Sequence, residues 1–100
     1  MQIIPLQAVP NQKFQVVLAD QSCQIEINQT DYGLFTTLWL GDDLVIAGVL
    51  SLNATRIVRS AYLGFVGDLA FQDLDGSENP IYTGLGTRFV LNYLEESDLS

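Results

Sequence analysis

The amino-acid sequence predicts an all-β, mainly antiparallel protein: a small β-sandwich or barrel of about six to seven short strands. Three observations predict it. Apolar residues alternate with polar ones at a period of two in several short segments. Turn-forming Gly, Asp, Asn and Ser residues punctuate the chain at short intervals. Apolar residues make up 48% of the chain and charged residues only 16%, which suits a packed core and excludes a disordered composition.

The first seven residues form an apolar arm, 1–7, with Ile3, Ile4 and Leu6 around Pro5. Pro5 and Pro10 stiffen it and prevent a long regular strand. Phe14, Val16 and Leu18 then share one face of a segment. After the turn Asp20-Gln21-Ser22, Cys23, Ile25 and Ile27 alternate with Gln24, Glu26 and Asn28. Two alternating runs around a short polar turn read as a β-hairpin. A polar connection from Asn28 to Gly33 leads into Leu34 to Leu40, rich in β-branched and aromatic residues and apolar on both faces. Gly41-Asp42-Asp43 supplies a turn, and Leu44 to Leu52 a strand with a bulge or bend expected at Gly48.

Asn53 to Leu63 has two readings. Ala54, Ile57, Val58, Ala61 and Tyr62 stand at helical spacing, which allows one short helix near residues 54–63. The alternative is an irregular extended crossover. Asp68 to Leu74 reads as a strand ending in Asp75-Gly76-Ser77, and Phe89 to Leu94 as the closing strand. The acidic tail, 95–100, is expected to fray. The whole of 1–100 reads as a single domain of ordinary size.

Charge bounds the partners. Twelve acids oppose only Lys13, Arg56, Arg59 and Arg88, for a net charge of −8. Four bases cannot neutralise a phosphate backbone, so no stable nucleic-acid binding is expected. The acidity serves solubility, repels DNA or pairs with a basic partner. No apolar segment approaches the ~18 residues of a membrane span, and the N-terminus lacks signal-peptide features, so a cytoplasmic origin is expected.

The chemical inventory is poor. There is no histidine, hence no imidazole base or ligand, and the lone Cys23 lies at a core position of its segment. Gly84-Leu85-Gly86 lacks the lysine of a phosphate loop. Asp73-Leu74-Asp75-Gly76-Ser77-Glu78-Asn79 has oxygens around a glycine, yet the twelfth position from Asp73 is Gly84 and not a calcium-binding glutamate. A plain turn explains the same letters. No enzyme activity, cofactor or metal is expected, and the apolar surplus points to protein contacts.

Ile4-Pro5-Leu6, followed by Pro10-Asn11-Gln12-Lys13-Phe14-Gln15-Val16-Val17-Leu18, resembles the start of the baseplate plug proteins of contractile-tailed phages, including phages of cyanobacteria. Trp39, Ala47-Gly48-Val49, Leu85-Gly86 and Leu91-Asn92-Tyr93-Leu94 match the family in order along nearly the whole chain. Ala19-Asp20-Gln21, Cys23 and Asn79-Pro80 depart from it. The resemblance implies a virion structural protein of the tail tip, near the junction of tube, hub and spike, present in several symmetric copies. Its partners would be other baseplate proteins, met in the host cytoplasm during assembly. The candidate interface is the arm residues Ile3, Ile4, Pro5 and Leu6 together with the acidic pairs Asp42 and Asp43, Asp73 and Asp75, and Glu95 and Glu96. The alternative function is a stand-alone β-sandwich module binding carbohydrate or peptide, with Trp39, Tyr32 and Tyr62 as an aromatic platform.

Overall fold

The computed structural model describes residues 2–58 and 65–95. Among the described residues, seven strands make two antiparallel sheets. They are β1 (Gln2–Ile4), β2 (Asn11–Leu18), β3 (Gln21–Thr30), β4 (Gly33–Leu40), β5 (Asp43–Leu50), β6 (Asp68–Asp73) and β7 (Phe89–Leu94). One sheet is the meander β2-β3-β4-β5; the other has the order β1-β7-β6. Ile25, Ile27, Leu34 and Leu38 of the meander share one hydrophobic cluster with Ile4, Leu69, Phe71, Leu91 and Tyr93 of the smaller sheet. Of the sandwich and the barrel, the two separate sheets packed on a common core make the sandwich.

The meander follows directly from the period-two pattern. Val16 pairs with Cys23 and Phe14 with Ile25, so the alternating apolar residues of β2 and β3 fall on the same inner face. The turn lies one residue earlier than the sequence suggests: Leu18 pairs with Gln21, leaving Ala19-Asp20 as a two-residue loop. Both loop residues have positive φ, 49° and 62°, the twist that a tight hairpin requires. A similar two-residue loop, Asp31-Tyr32, joins β3 to β4, since Thr30 pairs with Gly33. Within β4 and β5 the register shifts near Leu38, and Gly48 at φ 58° donates its N–H to the Thr37 hydroxyl at 3.0 Å. This is the irregularity expected at Gly48.

The smaller sheet joins the two ends of the chain. β7 runs through its centre with five successive buried residues, Phe89 to Tyr93, and takes β1 on one side and β6 on the other. The crossover from β5 to β6 lies along the free edge of β6, through isolated bridges from Asn53 to Phe71 and from Arg56 to Ala70. The described part of the ambiguous segment, 53–58, is therefore the extended crossover and not a helix; residues 59–63 lie outside the described residues. The physical reason is a buried carboxylate. Asp68 accepts the backbone N–H groups of Ile57 (3.2 Å), Val58 (2.7 Å) and Leu69 (2.7 Å), so the amides that a helix would use internally are bonded elsewhere. Ala54, at φ 54°, turns the chain out of helical geometry as well.

Candidate functional site

The arm is fastened to its own molecule at three points. Ile3 and Ile4 lie in β1, which pairs with β7 with Ile4 opposite Leu91. Ile4 is 1% exposed and belongs to the core, whereas Ile3 is 60% exposed. Pro5 is exposed and Leu6 half-buried. The Leu6 carbonyl lies so close to Gly86 that a Cβ there would meet it at 2.5 Å, and Gly86 has φ 84°. Only glycine fits that crossing. Beyond it, the Gln12 side-chain amide donates to the Gln7 carbonyl (2.7 Å) and accepts the Gln7 N–H (3.2 Å).

The acidic candidates divide by environment. Asp42 and Asp43 are exposed at the β4–β5 turn. Asp73 is a structural anchor: its carboxylate receives Arg88 through Nε and Nη2, both at 2.9 Å, and the N–H groups of Asp75 and Glu78, both at 2.9 Å. The Arg88 guanidinium, followed by those amide bonds, holds the Asp73 carboxyl well below the usual carboxylate range against a smaller opposing effect of desolvation. Those donors engage the oxygens that a calcium ion would need, so the Asp73 turn is an ion-paired loop. Asp75 and Glu95 are exposed, and Glu96 lies outside the described residues.

These acids do not gather into one site. Asp73 pairs with Phe89 at one end of the β6–β7 ladder, while Asp68 pairs with Leu94, next to Glu95, at the other. Five strand steps separate the ends by roughly 17 Å. That exceeds the Debye length of ~8 Å at physiological salt, so the Asp75 and Glu95 ends act separately.

The largest feature outside the predicted set is the outer face of the meander. Register places Trp39 beside Leu44 and Phe35 beside Leu50 on that face. Leu44 is 56% exposed and Leu50 37%, and Val17 on β2 is 62% exposed. The Lys13 ammonium lies 4.4 Å from the Trp39 ring centre. The signal for this face was present in the sequence, because residues 34–40 are apolar on both sides. Two members of the expected aromatic platform stand apart: Tyr32 precedes β4 and Trp39 stands near its far end, about 20 Å along the strand. Tyr62 lies outside the described residues.

Chemistry finds little purchase. Cys23 is buried, and burial pushes its thiol up, away from thiolate. Among the described residues, no group of three acids or cysteines is placed to hold a metal ion. Gly84 belongs to a 3₁₀ turn, Tyr82–Gly84, that packs under Phe89.

None of the curated proteins compared with the chain matches it. A protein-family model described as the cyanophage baseplate Pam3 plug gp18 matches residues 1–96. That match spans both sheets, the arm that ties them and every turn described above, and the chain therefore belongs to the cyanophage baseplate plug family.

Proposed function

We propose that this chain is a structural part of the phage tail baseplate that acts by shaped contact, without catalysis, close to where tube, hub and spike meet. The observation that supports this reading most is the apolar strip that β4 and β5 present on the outer face of the meander, where Phe35, Trp39, Leu44 and Leu50 lie outside the core cluster. Exposed apolar surface of this kind marks a protein contact. Its neighbours are tube, hub or spike components, which it joins in several symmetric copies after synthesis in the host cytoplasm. The exposed carboxylates of Asp42, Asp43, Asp75 and Glu95 face either a basic partner or the passage used by DNA, where like charge prevents sticking. Ile3 and Pro5 add to the contact surface from the arm.

Electron microscopy of intact tails tests this. The expected result is density for the two-sheet sandwich at the tail tip, in symmetric copies, with the outer meander face covered by another protein. Tails that lack the chain, or copies whose outer face is bare, would sink the reading.

A further inference from the structure

The geometry points to β2 as a strand-addition site, which takes an extended, neutral or basic segment of a different polypeptide. This rests on the reading that the chain works by contact with other baseplate proteins, and it names where and how one such contact is made.

The hairpin register decides which backbone groups of β2 are free. Leu18 and Gln21 flank a two-residue loop, so they exchange ladder hydrogen bonds. Alternation then assigns Val16, Phe14 and Gln12 to bonds with β3, and the Gln29 N–H bond to the Pro10 carbonyl at 2.8 Å continues the same series. Lys13, Gln15 and Val17 therefore turn their N–H and C=O groups outward, and no strand among the described residues pairs with them. Other edges are blunted. The crossover covers β6, β5 is bulged at Gly48, and β1 is three residues long. β2 offers eight residues in unbroken register. Such an edge invites a partner strand unless something guards it.

The usual guard is a lysine, and Lys13 is in position to be one. Its ammonium instead lies back over the sheet against Trp39, 4.4 Å from the ring centre, so the edge is left open. Beside it lies a cleft of about 390 Å³ between the arm and β2, lined half by apolar Ile4, Pro5, Phe14 and Val16 and half by three glutamines and Lys13. Added strands gain affinity from main-chain hydrogen bonds and specificity from pockets for alternate side chains. The apolar half of this cleft suits an apolar side chain, and its glutamines suit a hydrogen-bonding neighbour.

Charge selects the occupant. All twelve acids lie at or beyond Asp20, so the arm and β2 carry no carboxylate side chain and Lys13 is their only charged one. Charge depletion of this kind is typical of an interface centre. A second copy would bring another net −8 toward the same edge, whereas a basic segment is drawn to it by the surrounding acids and a neutral one is not repelled.

Amide hydrogen exchange in the free chain and in intact tails, together with two variants, tests the proposal. Gln15→Pro removes one outward N–H and no bond to β3, and Gln15→Ala keeps that N–H. In tails, the Lys13, Gln15 and Val17 amides should exchange at least about tenfold more slowly than in the free chain, the effect of roughly one added ladder bond each. Gln15→Pro should melt cooperatively yet enter tails about tenfold less than Gln15→Ala. Equal incorporation of the two variants, or amides as open in tails as in the free chain, overturns the proposal. So does a free dimer with these amides protected, which would make a second copy the occupant. Should Gln15→Pro fail to fold, exchange in the parent chain decides alone. If the parent chain is absent from tails, the baseplate function falls together with this site; if it is present with an open β2 edge, only the site falls.

Discussion

The two sheets are held together by different means. The meander is local: each strand pairs with its neighbour in sequence across a two-residue loop, and its inner face is set by alternation alone. The smaller sheet is non-local. It joins residues 2–4 to 89–94 and depends on two carboxylates, Asp68 and Asp73, that organise backbone amides from the connecting segments. Two glutamines of the meander reach across to it: Gln21 bonds both backbone groups of Val66, at 2.9 and 3.1 Å, and Gln29 accepts the Tyr82 N–H at 3.1 Å. Hydrophobic patterning suffices where the chain folds back on itself at once. Where long connections must lie flat on a sheet, polar side chains take over from the missing strand ladder.

The largest test of this contrast is Asp68→Ala. It leaves the amides of Ile57, Val58 and Leu69 without their carboxylate partner. Each buried unsatisfied donor costs about 1–3 kcal/mol, so the loss should be on the order of 3 kcal/mol or more, read from urea unfolding. Ile57 also bonds the Leu69 carbonyl, which softens its share. Ile25→Val, a methylene lost from the centre of the meander, should cost only about 1 kcal/mol. Equal losses would mean that the Asp68 cluster is not what secures the crossover.

The second test is acid. The Asp73 carboxyl is held low in the folded protein, while in the unfolded chain it has the ordinary value of roughly 3.9. Folding is therefore favoured by its ionised form: the contribution is fully present above about pH 5 and is lost as pH falls below about 4 toward the folded value. Urea midpoints measured from pH 7 downward should fall in that window, and Asp73→Asn should be less stable than the parent at pH 7 with the gap closing in acid. A gap independent of pH would assign the Asp73 turn to packing and not to charge.

The strand pattern, the β2–β3 hairpin, the bulge at Gly48 and the closing strand are all legible in the sequence, because each is local. The crossover is only half legible, as one of two readings of the same letters. Ala54, Ile57 and Val58 have helical spacing, and only the folded protein brings Asp68 to their amides. The arm is legible as an apolar segment, but Ile3 and Ile4 differ in role only once β1 has paired with β7. Asp73 and Asp75 look alike as letters and differ entirely as groups, one ion-paired and buried, the other exposed. The outer meander face follows from the two-sided apolar run at 34–40, whereas the open edge of β2 requires knowing which strand is last in the sheet.

The smallest test sharpens the meander side. Ala19 adopts φ 49°, which an L-residue with a plain Cβ disfavours by roughly 1–2 kcal/mol. Replacing Ala19-Asp20 with Asn-Gly should raise stability by about 1 kcal/mol and Tm by roughly 4–8 °C. An unchanged Tm would show that the loop strain is already relieved by its surroundings.

Trp39 gives the molecule a built-in optical reporter. It is the sole tryptophan, and it stands on the outer face under the Lys13 ammonium, remote from the inner cluster that unfolding would expose. Its emission will answer mainly to what covers that face and to where the Lys13 charge sits. Docking on the meander can therefore be followed by fluorescence in real time without any label, while the four tyrosines report on the rest of the chain.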